Sequence, residues 1–289
     1  MKVYVVGASG FVGRHVSAAL SAAGHELVTG PRVDLAQATS AADWLPRLQG
    51  VDAVVNAVGV LRDTRRRPIW PTHAEGPKAL FDACAQAGVR RVVQVSALGV
   101  DKSETVYARS KRAADEHLWS LVRAGRLDAV VVRPSVVVGP GGASTAMFLT
   151  LAKLPAVILP GPVARGLAQP VHVNDVAEAV RRALEGEADA LVAGGPNALP
   201  VVGPEVFTLR ALIAGWRTAL GRSPALVALL PDALSRLSAR MGDQVPAVPW
   251  CTEAMALLAQ PNTGDVQPLT RLLGRAPVSV RDWPTELRG

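Results

Sequence analysis

Cysteine is scarce in this chain of 289 residues, with only Cys84 and Cys251 present. Two cysteines cannot form a disulfide framework, and alone they cannot supply the ligands of a structural zinc site. Cys84 falls on the apolar face of a predicted helix, where a buried thiol is the simpler interpretation. The sequence therefore predicts neither a disulfide-rich scaffold nor a metal site.

Aromatic residues are also few, with four Phe and two Tyr available to stack on bases. The net charge of +7 and the pI of 10.1 would suit a nucleic-acid partner. However, the arginines are dispersed apart from Arg65-Arg66-Arg67, which we assign to a solvated loop. We therefore expect no nucleic-acid partner, and infer that the positive charge favours an anionic cofactor or substrate.

Long apolar runs are absent, since none reaches the roughly 18 to 20 residues that a membrane span requires. The first residues, Met1-Lys2-Val3, lead directly into a predicted strand. We accordingly expect no signal peptide and a cytoplasmic location. Hydrophobic residues make up 49% of the chain, and its length suits one large domain or two small ones.

The stretch from Val3 to Gly13 combines an apolar, β-branched run with three glycines and the start of a helical pattern. Gly7 suits a sharp turn, Gly10 lets the backbone approach a pyrophosphate, and Gly13 lets a helix pack closely on the strand. The spacing is Gly-x-x-Gly-x-x-Gly rather than the commoner Gly-x-Gly-x-x-Gly, and a purely structural turn is the alternative. The cofactor-binding residues predicted here are Gly7, Ser9, Gly10, Phe11, Val12 and Gly13.

Strand and helix patterns alternate after this opening. Strands are predicted at 26–29, 51–59, 92–95, 129–132 and 189–193, and helices at 40–49, 75–88 and around Tyr107. This alternation predicts an α/β fold with a Rossmann-type doubly wound parallel sheet. The strand end at Ala57, Val58 and Gly59 should line the cofactor crevice. Because the segment after the second strand is short, we expect a reduced sheet edge there.

An acidic residue is missing at the end of the second strand, where it would hydrogen-bond the adenosine ribose of NAD. Arg32 is within reach of this position, so NADP is favoured over NAD, although NAD stays open. Asp34 is placed to meet the adenine edge. Arg14 either adds a second positive charge near the 2′-phosphate or occupies a solvated helix position.

Ser96, Tyr107 and Lys111 are the candidate catalytic residues. A spacing of four places Tyr107 and Lys111 on one helix face, where the ammonium would lower the pKa of the phenol toward a useful range. Ser96 follows a strand and could hydrogen-bond a substrate carbonyl or hydroxyl. The alternative is a surface Tyr and Lys on an amphipathic helix.

Several motifs occur together in an order typical of one family. They are the three-glycine turn, Asn56-Ala57-Val58-Gly59, Ser96, Tyr107, Lys111, Arg133-Pro134 and Val171-His172-Val173-Asn174-Asp175-Val176-Ala177. With this combination, over roughly residues 1–220, the chain resembles a short-chain dehydrogenase/reductase of the extended or atypical, epimerase-like kind. It is most similar to the subgroup of the nucleotide-binding accessory subunit of respiratory complex I.

The resemblance implies a role for each matching residue. Tyr107 would be the catalytic acid/base, Lys111 would hold the nicotinamide ribose and lower the pKa of Tyr107, and Ser96 would position the substrate oxygen. Pro134, Ser135 and Val136 would pass beside the nicotinamide. The chain departs from the family pattern at His73, where extended members usually have an Asn; His73 could act as a polar relay or have a structural role.

The resemblance also implies two structural parts. Residues 1–140 with 165–195 would form the NAD(P)-binding domain, and 141–164 with 196–289 a smaller C-terminal substrate lobe. Asp175 would cap a helix at 176–184. The apolar segment from Leu226 to Met241 could cover the lobe, dock on a partner or make a peripheral membrane contact. A homodimer is left open.

The function predicted from these features is an NAD(P)-dependent oxidoreductase that acts on a carbonyl or alcohol substrate. Three alternatives stay open: a nucleotide-sugar epimerase or dehydratase, a non-catalytic NAD(P)-binding regulator, and a respiratory accessory protein. The retained Ser96, Tyr107 and Lys111 count against the regulator, because sensing requires only the nucleotide site. No pattern between 140 and 289 names the substrate.

Overall fold

The computed structural model of the chain describes residues 1–28, 30, 33–61, 63–64, 67–192, 198–245, 250–281 and 283. Within them the strands are β1 (Lys2–Val6), β2 (Glu26–Val28), β3 (Ala53–Asn56), β4 (Arg91–Val95), β5 (Ala129–Pro134), β6 (Val137–Val138), β7 (Ala156–Pro160), β8 (Leu167–Ala168), β9 (Val171–His172), β10 (Ala198–Val201), β11 (Phe207–Thr208) and β12 (Leu226–Leu230). The α-helices are α1 (Phe11–Ala22), α2 (Gly76–Ala87), α3 (Val106–Arg123), α4 (Ala143–Lys153), α5 (Gly161–Arg165), α6 (Val173–Leu184), α7 (Asp189–Val192), α8 (Leu209–Ala219), α9 (Asp232–Asp243), α10 (Thr252–Ala259) and α11 (Gln267–Leu273).

Six strands form one parallel sheet in the order β10-β5-β4-β3-β1-β2. β3, β4 and β5 are buried along their whole length, as expected for continuous apolar runs in a sheet covered on both faces. Val3 and Val5 pack in a core with residues of α1 and α6, whereas Tyr4 and Val6 pack in a second core with residues of α2 and α3. The predicted doubly wound parallel sheet is confirmed.

The sheet ends at β2, which pairs only with β1 among the described residues. After β2 the chain crosses to β3 on the other side of β1 without adding a strand beyond the edge. The predicted reduction of this edge is therefore confirmed. The described residues between β2 and β3, 30 and 33–52, form only turns and short 3₁₀ segments.

Two local predictions are wrong. Residues 40–49 form two 3₁₀ turns, Ala41–Asp43 and Leu45–Arg47, rather than a helix. Pro46 lacks the N–H group that an α-helix needs there, and the first turn is closed by hydrogen bonds between Ser40 and Asp43. Residues 189–192 are helical (α7), and the last sheet strand is β10; an apolar run this short does not distinguish strand from helix.

The cap of α6 also differs from the prediction. The capping residue is His172, whose Nδ1 accepts a hydrogen bond from the Asn174 N–H at 3.3 Å. The carboxylate of Asp175 instead accepts from the Arg275 guanidinium and the Val278 N–H, both at 2.6 Å. Asp175 therefore attaches the C-terminal segment to the sheet part of the molecule.

The remaining elements form a lobe around a third apolar core, which contains Phe148, Trp216 and Trp283. Outside the sheet the strands pair two by two: β7 with β12, β8 with β11, and β6 with β9, of which Val171 in β9 packs in the sheet core. β10 is an edge strand of the sheet and α11 packs against it, although both follow residue 195, where we expected the NAD(P)-binding domain to end. The leucines of α11, Leu269, Leu272 and Leu273, are buried there and tie this late segment to the sheet core.

No helix among the described residues is both long and apolar enough to cross a membrane.

Candidate functional site

The turn between β1 and α1 requires glycine at two positions, Gly7 and Gly13. Gly7 has a φ of +86°, and its carbonyl accepts a hydrogen bond from the Gly10 N–H at 2.9 Å. A Cβ on Gly13 would lie 2.0 Å from the Gly7 oxygen, so only glycine lets α1 pack this closely. A Cβ on Gly10 would meet only the Gly7 oxygen, at 3.1 Å. The turn is therefore tight on its protein side and open at Gly10.

This open side can receive an anion. Ser9 and Gly10 are exposed, and Phe11 and Val12 are the first residues of α1, where backbone N–H groups have no acceptor within the helix. The first turn contains no acidic side chain. The geometry can thus accept a pyrophosphate at the positive end of the helix.

The loop after β3 lies directly beside this turn, since a Cβ on Gly7 would be 2.8 Å from a methyl group of Val58. The loop is held by hydrogen bonds at successive residues. The Ala57 N–H donates to the Val6 oxygen, the Val58 N–H to the Asn56 side chain, and the Val60 N–H to His73. Ala57, Val58 and Gly59 therefore have a fixed conformation at the carboxyl end of the sheet.

Lys111 joins the ends of two sheet strands. Its ammonium donates to the backbone oxygens of Val58 and Val95, each at 3.0 Å, and the residue is 3% exposed. Burial lowers the pKa of Lys111 to about 8, while the charge of Asp115 opposes this shift. A cation is thus placed beside the loop at Gly59, where a Cβ would lie 3.8 Å from the ammonium.

Tyr107 lies in the first turn of α3, one helical turn before Lys111. Thr105 caps this helix through the Ala108 N–H, and the carboxylate of Glu253, from α10, accepts from the N–H groups of Val106 and Tyr107 at 3.2 and 3.3 Å. Sequence reasoning missed Glu253, which lies nearly 150 positions away in the chain. The lobe therefore helps to fix the start of α3.

The pKa of the Tyr107 phenol is not lowered, as we expected, but raised. Desolvation raises the pKa of Tyr107 to about 12, and the charge of Asp115 adds to the rise. The ammonium of Lys111, which is bound to two backbone oxygens, does not offset this rise. The prediction of a lowered pKa for Tyr107 is thus wrong.

His73 lies in a π-helical turn, Pro71–Glu75, that leads into α2, and it is 1% exposed. Its Nε2 lies 2.8 Å from the Val60 N–H and must accept, which makes Nδ1 the protonated nitrogen. Nδ1 lies 3.3 Å from the Ser110 hydroxyl, which donates to the Tyr107 carbonyl. The imidazole also meets the Tyr107 ring edge to face, with centroids 5.1 Å apart.

These contacts fix His73 as a neutral ring. Burial holds the pKa of His73 well below its usual range, and the charge of Lys111 adds to the shift. With both nitrogens engaged, the ring links the loop after β3 to the helix that carries Tyr107. The geometry favours the structural role over the polar relay.

Ser96 lies at the end of β4 and is 4% exposed. Its hydroxyl donates to Asp115 at 2.7 Å, and the same carboxylate oxygen accepts from Arg133 at 3.0 Å. Burial raises the pKa of Asp115 to about 6, against the lowering effect of Arg133. The Ser96 hydroxyl therefore donates its hydrogen bond to Asp115 and does not have this proton available for a substrate. Asp115 was missed, although it lies four residues after Lys111 on the same buried face.

Three further predicted residues lie at the end of β5 and in the short link to β6: Pro134, Ser135 and Val136. The Pro134 oxygen accepts from the Leu98 N–H, and the Ser135 hydroxyl donates to the Asn262 backbone oxygen at 3.1 Å. Val136 lines a small apolar cavity with Phe148 and other lobe residues. This segment therefore lies between the sheet and the lobe. Sequence reasoning missed Asn262, which also donates from its side chain to the Leu98 oxygen.

At the end of β2, Arg32 lies outside the described residues. Asp34 lines a groove of about 280 Å³ that also contains Val33, Gln37, Ala38, Asp43 and Arg47. Arg14 donates to the Pro140 oxygen at 3.0 Å and lies over the ring of Phe11. Its side chain is thus directed to the loop before α4. The suggested second charge of Arg14 near a 2′-phosphate stays a prediction.

Fold and site together define a Rossmann-type dinucleotide-binding protein with a Tyr and Lys pair at the carboxyl end of its sheet. The chain belongs to the NAD dependent epimerase/dehydratase family, whose model matches residues 3–194. The resemblance to extended short-chain dehydrogenases/reductases is confirmed. Membership of this family supports a nicotinamide cofactor and does not distinguish NAD from NADP.

Individual relatives differ in how much of the chain they match. Ceramide reductase of Caulobacter vibrioides is 29% identical over 61% of this chain and 58% of that protein, so this chain spans less than two thirds of that relative. NADH dehydrogenase [ubiquinone] 1 alpha subcomplex subunit 9, mitochondrial, of Mus musculus is 26% identical over 98% of this chain and 77% of that protein. The NADPH-dependent quinone oxidoreductase QOR2 of Escherichia coli, solved with NADPH, has a TM-score of 0.72 at 16% identity and full coverage of both chains, which shows a shared fold.

Proposed function

We propose that the chain is a reductase of the short-chain dehydrogenase/reductase type that uses NADPH to reduce a carbonyl compound, with Tyr107 as proton donor. The observation that carries this proposal is the placement of Lys111. A buried ammonium is held at the ends of β3 and β4, one helical turn from the only tyrosine near the predicted cofactor loop. A surface pair on an amphipathic helix would have no reason for this burial.

The residues around the glycine turn fit a dinucleotide. The open side of Gly10 and the first N–H groups of α1 suit a pyrophosphate, and the loop at Ala57 to Gly59 leads from there toward Lys111. Lys111 would hold the nicotinamide ribose. Bound in this way, the cofactor would supply hydride to the substrate carbon or accept it in the reverse direction.

Tyr107 is protonated at neutral pH, as a proton donor to a carbonyl oxygen must be. Burial raises its pKa to about 12, which makes the free phenol a weak acid, and Lys111 is the cation placed to assist its proton transfer. The edge contact with His73 and the Glu253 cap hold the ring and the helix start in place. We assign Ser96 a positioning role through Asp115, in place of direct contact with the substrate.

The preference for NADPH rests on the sequence at the end of β2. No acid follows this strand directly, and Arg32 is within reach of a 2′-phosphate. Asp34, in the groove beyond the strand, would meet the adenine side of the nucleotide.

The experiment is to follow NADPH oxidation by the full chain with a panel of aldehydes, ketones, quinones and nucleotide sugars, beside Tyr107→Phe. We expect turnover of at least one carbonyl class by the native chain and its loss in the variant, with NADPH affinity unchanged. Turnover that is indifferent to Tyr107→Phe would contradict the assignment. Interconversion of nucleotide sugars with tightly held, co-purifying NAD would support an epimerase instead.

A non-catalytic accessory role is the second candidate. The match to the mouse respiratory subunit over 98% of this chain favours it, since it extends through the lobe. It predicts saturable NADPH binding without turnover of any substrate class. The buried Lys111 beside Tyr107 argues for the reductase, because nucleotide binding alone does not require a proton donor.

A further inference from the structure

Exposed apolar side chains are concentrated in one part of the lobe. Fourteen large apolar side chains are exposed among the described residues, and eight of them lie within 154–158 and 226–245. The two stretches are adjacent, because β7 pairs with β12 and α9 follows β12 directly. We call the surface formed by Ile158, Leu226, Leu234, Leu237 and Met241 the apolar face.

The paired strands β7 and β12 contribute apolar residues on both sides. Val157 and Leu159 are buried in the lobe core, so the intervening residues point outward. On that outer side, Leu226 is paired with Ala156 and Ala228 with Ile158. Ile158 is 67% exposed and Leu226 79% exposed. A two-stranded sheet in water normally has polar residues on such a side.

Helix α9 also directs its large apolar residues outward. Its buried residues, Ser235 and Ala239, are small, whereas Leu234, Leu237 and Met241 are 49%, 53% and 66% exposed. The spacing of these three residues places them on one stripe of the helix. A helix that served only to cover the lobe would direct its leucines inward. The arrangement is instead typical of a helix that lies at the interface of a membrane.

Cations flank the apolar face. Arg236 and Arg240 follow one edge of α9, and Arg222 and Lys153 lie together before β12 and β7, joined by a hydrogen bond from Arg222 to the Lys153 oxygen. In the described part of the chain none of the four forms an ion pair with a carboxylate. Of the nearby acids, Asp232 pairs with Arg165 and Asp243 accepts from Thr252. This charge pattern is complementary to an anionic surface and would repel a second copy of the same face.

We propose that this apolar face docks the lobe on an anionic lipid bilayer. Leu234, Leu237 and Met241 would enter the region between headgroups and acyl chains, and the flanking cations would contact lipid phosphates. The proposal is independent of the proposed reductase activity, because none of its residues lies in the cofactor or proton-donor site.

The experiment is co-sedimentation of the full chain with vesicles of phosphatidylcholine alone or with added phosphatidylglycerol. The native chain should bind the phosphatidylglycerol vesicles, less so at high salt. R236Q/R240Q should weaken this binding by about fivefold per arginine. R123Q/R126Q, which removes the same charge from exposed positions at the end of α3, should leave it unchanged. L234S/L237S/M241S should abolish binding to the phosphatidylglycerol vesicles.

NADPH affinity, measured for every variant, reports whether the fold is intact. Equal binding to both vesicle types, no binding by the native chain, or equal effects of the two arginine pairs would overturn the proposal. So would a dimeric mass in light scattering that the serine variant reduces to a monomer, because the face would then belong to a second copy. The arginine pair keeps the test decisive if the serine variant does not fold.

Discussion

The sheet part of the molecule and the lobe are stabilised in different ways. At the carboxyl end of the sheet, backbone and polar contacts fix each group: Lys111 is bound to two carbonyl oxygens, and His73 joins two segments. The lobe relies on an apolar core with pairs of short strands, and one face of its outer surface is apolar as well. The difference fits the proposed cofactor and proton-transfer site, which requires fixed groups, beside a part suited to recognising apolar surfaces or substrates.

The largest effect is expected at the centre of the fixed region. Tyr107→Phe removes the proposed proton donor but keeps the ring and its contact with His73, so the fold and NADPH binding should persist. Turnover of a carbonyl substrate should fall by about 10² to 10⁴. Steady-state kinetics of purified native and variant protein would check this, with NADPH affinity as the control. A loss of NADPH affinity that equals the loss of rate would show instead that the ring is needed for binding.

Gly13→Ala tests how tightly the opening turn is packed. The added Cβ would lie 2.0 Å from the Gly7 oxygen, and the resulting overlap should lower the free energy of unfolding by about 1 to 3 kcal/mol. Gly215→Ala is the matched control, since a Cβ there meets nothing within 4 Å in a lobe helix. That change should stabilise by up to about 1 kcal/mol. Denaturant titrations that give both variants the same free energy of unfolding would contradict the tight packing that we infer at Gly13.

Arg32→Ala addresses the choice of cofactor. A charge-assisted hydrogen bond to the 2′-phosphate contributes about 1.5 to 3 kcal/mol, so NADPH affinity should fall roughly ten- to hundredfold while NADH affinity hardly changes. Fluorescence titration with each nucleotide measures both. A native preference for NADH, or equal losses for the two nucleotides, would mean that Arg32 does not contact the phosphate.

The smallest effect concerns pH. With a pKa of about 8, Lys111 is an ammonium at neutral pH and loses its charge as the pH rises further, so NADPH affinity should decline through that range. Asp115 raises the pKa of Lys111, and Asp115→Asn should therefore move the decline to lower pH. Lys111→Met should bind weakly at every pH. An unchanged pH profile in Asp115→Asn would show that the two charges do not interact through the buried face of α3.

The sheet region was largely predictable from the sequence because its signals are local. Buried β-branched runs predicted β1, β3, β4 and β5, and the four-residue spacing placed Tyr107 and Lys111 on one face. The residues that were missed act over long separations: Glu253 caps α3, and Asn262 contacts Leu98 and Ser135. No pattern within a segment predicts such contacts. Asp115 is different, because its position four residues after Lys111 was a usable signal.

The cofactor site is tested most directly by a calorimetric titration of NADPH into the native chain and into Gly10→Val. We expect saturable binding of one nucleotide per native chain. The valine side chain would occupy the open side of the turn where the pyrophosphate must approach, so binding should be lost while the melting temperature stays close to native. Equal NADPH affinity in a well-folded Gly10→Val, or no binding by the native chain, would contradict the assignment of the cofactor site.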